Sequence, residues 1–218
     1  MPTHRPSPLQ NRVLPTGEIV ADHARGMFTG NRGILPFTHG RLGTSRWKHH
    51  HWIICTLTHP KGRYHGPMPA RGWTPLFFLD EAVGLAAGHR PCAYCRPEAY
   101  RAFKAAWATA TGRNEGHKAI DKCLHHDRVD RTRTQIRHKA ALDTLPNSSF
   151  VLHDGAPHLV VDDHLLPFRS MTYGPQIRRP SGVAIVLTPA PLVQVLRAGY
   201  TPVLHESAQT RQQSHRFA

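Results

Sequence analysis

The run from Phe77 to Pro97, FFLDEAVGLAAGHRPCAYCRP, decides how this chain is read. Asp80 to Ala87 predicts a two-turn helix, with acids at its start to suit the helix dipole and Gly88 as its stop. Cys92 and Cys95 then fall in a tight turn, and Pro97 opens a second helix reaching about Ala110, proline being tolerated at a first helical position. Two thiols two residues apart in a turn can face one metal ion, a spacing that zinc sites use. A redox dithiol of the same spacing wants a thioredoxin-like βαβ context, and none precedes this one. The pattern points to metal.

Two further cysteines, Cys55 and Cys123, bear on the ligand set. Cys55 ends the apolar part of His51–Leu57 (HWIICTL), the clearest strand in the chain, and His59 follows with three residues between. Cys55, His59, Cys92 and Cys95 would form a closed Cys3His zinc shell. Cys123, with His125 or His126, offers another way to complete the Cys92/Cys95 pair, but it lies in a helix-like stretch where a small packed thiol is the simpler reading. In His49-His50-His51, consecutive strand residues point to alternate faces, so these side chains read as exposed polar contacts and not as one chelate. A zinc deaminase is excluded, because its signature needs a glutamate two residues after a His or Cys ligand. The residues at those places are Ile53, Leu57 and Lys61.

Trp52-Ile53-Ile54-Cys55, followed later by Leu85-Ala86-Ala87-Gly88-His89-Arg90-Pro91-Cys92-Ala93-Tyr94-Cys95-Arg96-Pro97, resembles the N-terminal zinc domain of the Ada DNA-repair family, over roughly residues 51–110. The resemblance implies a strand–helix–zinc-knuckle–helix unit, a bound zinc and a DNA partner. In that family the cysteine matching Cys55 takes a methyl group from a DNA methylphosphotriester. The position of the family's second cysteine is His59 here. A neutral imidazole in place of a thiolate makes the remaining thiolates poorer nucleophiles, so a structural or DNA-positioning zinc is expected.

Charge agrees with a polyanionic partner. The chain has 28 Lys+Arg against 14 Asp+Glu, a formal net charge of +14 spread along its length. The expected phosphate contacts around the zinc unit are Arg46, Lys48, Lys61, Arg63, Arg71, Arg90 and Arg96, with DNA preferred and RNA open. Two other readings compete. One is a nuclease or glycosylase with a structural zinc and acid–base chemistry in 121–138, its candidates being Asp121, His125 and His138, with Cys55 as a candidate nucleophile. The other is a non-catalytic interaction module whose charge serves solubility. No apolar run approaches a membrane span, no secretory signal opens the chain, and four cysteines without secretion argue for ligands over disulfides. The expected compartment is the cytoplasm.

The expected fold is α+β. Residues 1–12 read as a Pro-rich flexible arm, and 13–112 as an Ada-like module with a glycine-punctuated β extension. Pro60 to Pro75 reads as a loop. Residues 113–218 read as a basic helix, about Gly116 to Val129, plus a small β meander with flanking helices. The meander takes a hairpin turn at Asp154-Gly155, strands at Phe150–His153, Pro157–Val161, Leu165–Phe168 and Ala184–Leu187, and a last helix capped by Thr188-Pro189 and ended by Gly199.

Overall fold

A computed structural model describes residues 8–58, 73–170 and 172–208. In chain order the strands of the first half are β1 (Gln10–Val13), β2 (Ile19–Ala21), β3 (Phe28–Asn31), β4 (Phe37–Thr38), β5 (Arg41–Leu42), β6 (Ile53–Thr56) and β7 (Leu76–Phe78). Helix α1 (Glu81–Ala86), the short β8 (Arg90–Pro91), α2 (Pro97–Thr111) and α3 (His117–Arg128) follow. The second half holds β9 (His138–Ala141), β10 (Phe150–His153), β11 (Ala156–Val161), β12 (His164–Arg169), β13 (Thr172–Tyr173), β14 (Ile177–Arg178), β15 (Val183–Val186) and α4 (Ala190–Arg197). The chain is α+β. Among the described residues no helix is long and apolar enough to cross a membrane.

Six strands form the first sheet, in the order β2-β1-β7-β3-β6-β8. Its side chains alternate as a half-covered sheet requires. Val13, Phe28, Ile54, Leu76 and Phe78 are buried, while Arg12, Thr29, Asn31, Ile53, Cys55 and Phe77 on the other side are only partly covered. Gly30 belongs to the buried face for a steric reason: a Cβ there would stand 2.4 Å from the Phe78 ring. The second sheet runs β13-β12-β11-β10-β15-β9, with β14 pairing β12. Its first hairpin turns at Asp154 and Gly155, both at positive φ (49° and 74°), the primed geometry that matches strand twist.

One core joins both halves. Phe103 and Trp107 of α2 share a cluster with Val13, Ile54 and Phe78 of the first sheet, Ile120 and Leu124 of α3, and Phe150, Leu187 and Leu192 of the second half. The expected division at 112/113 falls between α2 and α3, and the apolar packing continues across it.

Two local expectations change, and two strands go unread in the sequence. The arm expected over 1–12 gives way to strand at Gln10, because β1 pairs both β2 and β7. The apolar run before Asp80 includes a strand, β7, whose short length and flanking proline hide it in sequence. The charged stretch 130–139 ends in strand β9, which completes the second sheet against β15. Thr188 does not cap α4: its hydroxyl accepts from the Phe150 amide, and no side chain caps that helix.

Candidate metal centre

The predicted turn folds by local rules. The Asp80 carboxylate accepts from the Val83 amide and caps α1 (3.0 Å), and Gly88 ends the helix at φ 82°, where a Cβ would also strike the Arg128 side chain. The chain then runs as β8 parallel to β6, pairing Ile53 with Arg90 and Ile54 with Pro91. One step further along that register lie Cys55 and Cys92, and the Cys92 amide donates to the Ile54 carbonyl (2.9 Å). The turn brings the Cys95 amide to Cys92 Sγ (3.4 Å), and the Arg96 amide donates to the Cys92 carbonyl (3.0 Å).

The sulfurs of Cys55, Cys92 and Cys95 all lie within 4.8 Å of one another. A tetrahedral zinc with bonds of about 2.3 Å would hold its sulfurs roughly 3.8 Å apart, so three ligands are already grouped for such an ion. Electrostatics favour a thiolate here. Hydrogen bonding from Cys55, assisted by the backbone amides of Cys95 and Tyr94, holds the Cys92 thiol down to about 5. Cys95 is lowered too, first by its bond with Cys55, whereas Cys55 is pushed up because it donates to the other two. Three soft, close sulfurs with one proton easily lost can hold a metal ion.

The expected fourth ligand, His59, lies outside the described residues, as do Lys61, Arg63 and Arg71. Cys123 is not part of the cluster; it sits half-buried on α3, 3.9 Å from an Asp127 carboxylate oxygen.

Two expected phosphate contacts are corrected. Arg90 is 3 % exposed and forks onto Asp121 (2.8 and 2.7 Å), and Arg96 forks onto Glu81 in the same way (2.8 and 2.7 Å). Their charge is already neutralised inside the fold, so neither presents a free cation. Glu81 also accepts from the Tyr200 hydroxyl (2.5 Å) and the Val203 amide (2.9 Å), tying the knuckle to the C-terminal segment. Arg46 is half-exposed and Lys48 exposed.

Of the acid–base candidates of 121–138, Asp121 and His125 lie one turn apart on α3, and His138 stands on β9 of the second sheet. Asp121 is buried and committed to Arg90 and to His51 Nδ1 (2.6 Å). His125 stacks on His50 (ring centroids 3.8 Å apart), and burial with nearby Arg128 holds it down to about 4. His138 lies on β9, paired with Val186 of the second sheet. In the histidine run 49–51, His50 and His51 contact His125 and Asp121, respectively.

The thiols stand at one end of a cavity of about 820 Å³ over the partly covered face of the first sheet. Arg12, Asn31 and Phe77 contribute to its floor, and His23 and Arg25 to its wall, with the Arg12 guanidinium 4.5 Å over the Phe77 ring. Sequence reading misses this groove. Its only local signal is the alternation in β3 and β6, which says that one face is wet without saying which strands are neighbours. Comparison with protein-family models, with curated proteins and with solved structures finds no match to this chain.

Proposed function

We propose that this protein is a zinc-containing DNA-binding protein of DNA repair or the damage response, in which zinc fixes the end of a nucleic-acid groove. The observation that carries this reading is the Cys55–Cys92–Cys95 cluster opening onto the uncovered sheet face, in a chain of net charge +14. Three thiolates suit zinc, and a basic surface suits phosphates. The nuclease or glycosylase reading is the weaker one, because Asp121 is committed to the buried Arg90 and His138 sits on β9 of the second sheet.

Binding to duplex DNA is expected to weaken steeply as salt rises, because each phosphate contact releases counterions. Lys48→Gln should reduce the slope of log K against log salt by about one if Lys48 touches a phosphate. Binding that ignores salt, or none at low salt, would leave the interaction-module reading in front.

A second reading follows from one observation: Cys55 is only partly covered and lines the groove. As a metal-bound thiolate its sulfur could attack the methyl carbon of a methylphosphotriester, forming S–C, breaking C–O and releasing the phosphodiester anion. The resemblance to the Ada domain supports this chemistry, and His59 in place of a cysteine weighs against its rate. The expected result with methylated DNA is no stoichiometric gain of one methyl mass on the Cys55 peptide. Stoichiometric gain would replace the positioning role by methyl acceptance.

A further inference from the structure

At the opposite end of the β3–β6 pair from the thiols, the chain buries two arginines that form no ion pair among the described residues. Arg32 is 2 % and Arg128 1 % exposed, and both guanidiniums stack over the Trp52 ring, at 3.8 and 3.9 Å. Arg32 Nε donates to His89 Nε2 (3.1 Å), and Arg128 donates to the carbonyls of Gly88 (2.9 Å) and His50 (2.7 Å) and to His125 Nδ1 (2.9 Å). Arg32 Nη2 and Arg128 Nε are buried with no hydrogen-bond partner among the described residues. Neither arginine forms an ion pair among those residues, in contrast to Arg90 and Arg96. Stacking on indole offsets part of the cost of burying such charges but leaves the polar nitrogens unmet.

Both arginines line a cavity of about 200 Å³ that Arg46, Arg133 and Arg137 also line. Glu18 is the one acid among its described lining residues. Arg133 and Arg137 are exposed, whereas Arg32 and Arg128 sit deep. The cavity is smaller than an ordinary ligand pocket, with space for about six or seven waters at roughly 30 Å³ each, which suits one hydrated oxyanion and not a nucleoside. Arg128 commits both terminal nitrogens to Gly88, His50 and His125, so the unmet donors among the two buried arginines are Arg32 Nη2 and Arg128 Nε. Several guanidiniums lining one small cavity suit the oxygens of a phosphate. Burial pushes Arg32 down to about 9 with help from Arg46, and burial together with Arg32 lowers Arg128, an effect that Asp121 partly opposes; an anion in the cavity they line would relieve that repulsion.

We propose that this cavity binds a single phosphate group, held from within by Arg32 and Arg128 and at its mouth by Arg46 and Arg137. The site is separate from the thiol cluster and does not depend on the metal reading. The phosphate can be free inorganic phosphate or the terminal phosphate of a polynucleotide, and two measurements distinguish them. In the first, the full chain is titrated with inorganic phosphate at constant ionic strength, chloride making up the balance, and read by tryptophan fluorescence and by melting temperature. Saturable one-to-one binding is expected, weakened about tenfold or more in Arg46→Gln/Arg137→Gln, since charge-assisted bonds to the anion are lost. Arg101→Gln, on the exposed face of α2, should bind as the parent does. These mouth and control substitutions avoid the buried arginines, whose loss can unfold the chain, and zinc content should stay unchanged in both.

The second measurement compares one oligonucleotide carrying a 5′-phosphate with the same oligonucleotide carrying a 5′-hydroxyl. A preference for the phosphorylated form that disappears in Arg46→Gln/Arg137→Gln assigns the site to polynucleotide ends. Equal binding of the two oligonucleotides with saturable inorganic phosphate assigns it to the free ion. Failure of both signals overturns the proposal, as does an equal loss in Arg101→Gln, which would reveal only diffuse attraction.

Discussion

Purified Cys92→Ser/Cys95→Ser protein should carry no zinc, whereas the parent should carry about one per chain. The reason is geometric: the three sulfurs within 4.8 Å lose two members at once, and a lone Cys55 cannot hold the ion. Metal-binding free energy is partly folding free energy, so the melting temperature should fall with the metal, by an amount on the order of 10 °C. The chain has its own core linking both sheets, so the variant should melt early but still cooperatively, unlike a small zinc finger. Elemental analysis together with a thermal scan reads both effects. Full zinc retention in the double variant would sink the metal centre altogether. Zinc loss without any change in melting would make the ion a dispensable ligand and not part of the fold.

The other large effect lies one layer behind the knuckle. Glu81→Leu should destabilise the protein by about 3–5 kcal/mol, because it strands the buried Arg96 cation and removes the acceptor of the Tyr200 hydroxyl and the Val203 amide. For a chain of this size that is a fall of roughly 6–20 °C in melting temperature. Glu81→Leu/Arg96→Met removes both charges together, and it should be clearly more stable than Glu81→Leu alone. Urea unfolding of the two variants measures the difference. If the double variant is the less stable, the pair is not an electrostatic unit, and the packing of Arg96 over Phe28, at 4.4 Å, dominates.

The contrast among the arginines shows where charge counting stops. Arg90 and Arg96 are indistinguishable in sequence from surface cations, yet each has a buried carboxylate 31 or 15 residues away along the chain. Arg32 and Arg128, unremarked in the sequence, are buried without an ion pair among the described residues. The net charge of +14 is therefore an upper bound on what the surface offers a polyanion, since some of the positive charge is internal.

What the sequence alone determined lies in segments where the chain's neighbours in space are also its neighbours in sequence. The α1 cap at Asp80, its stop at Gly88, the Cys92–Cys95 turn, proline at the start of α2 and the Asp154-Gly155 hairpin all depend on residues within a few positions of each other. Side-chain chemistry and backbone torsions settle such features locally. The tertiary structure decided which thiols meet, because the β6–β8 register carries Cys55 to Cys92 across 37 positions of chain and leaves Cys123 outside the cluster on α3. It also decided which cations are free, because an ion pair depends on distances that only packing of α1, α2, α3 and the first sheet can fix. The groove beside the thiols has the same origin: alternation in each strand is local, but a wet face exists only once six strands are laid side by side.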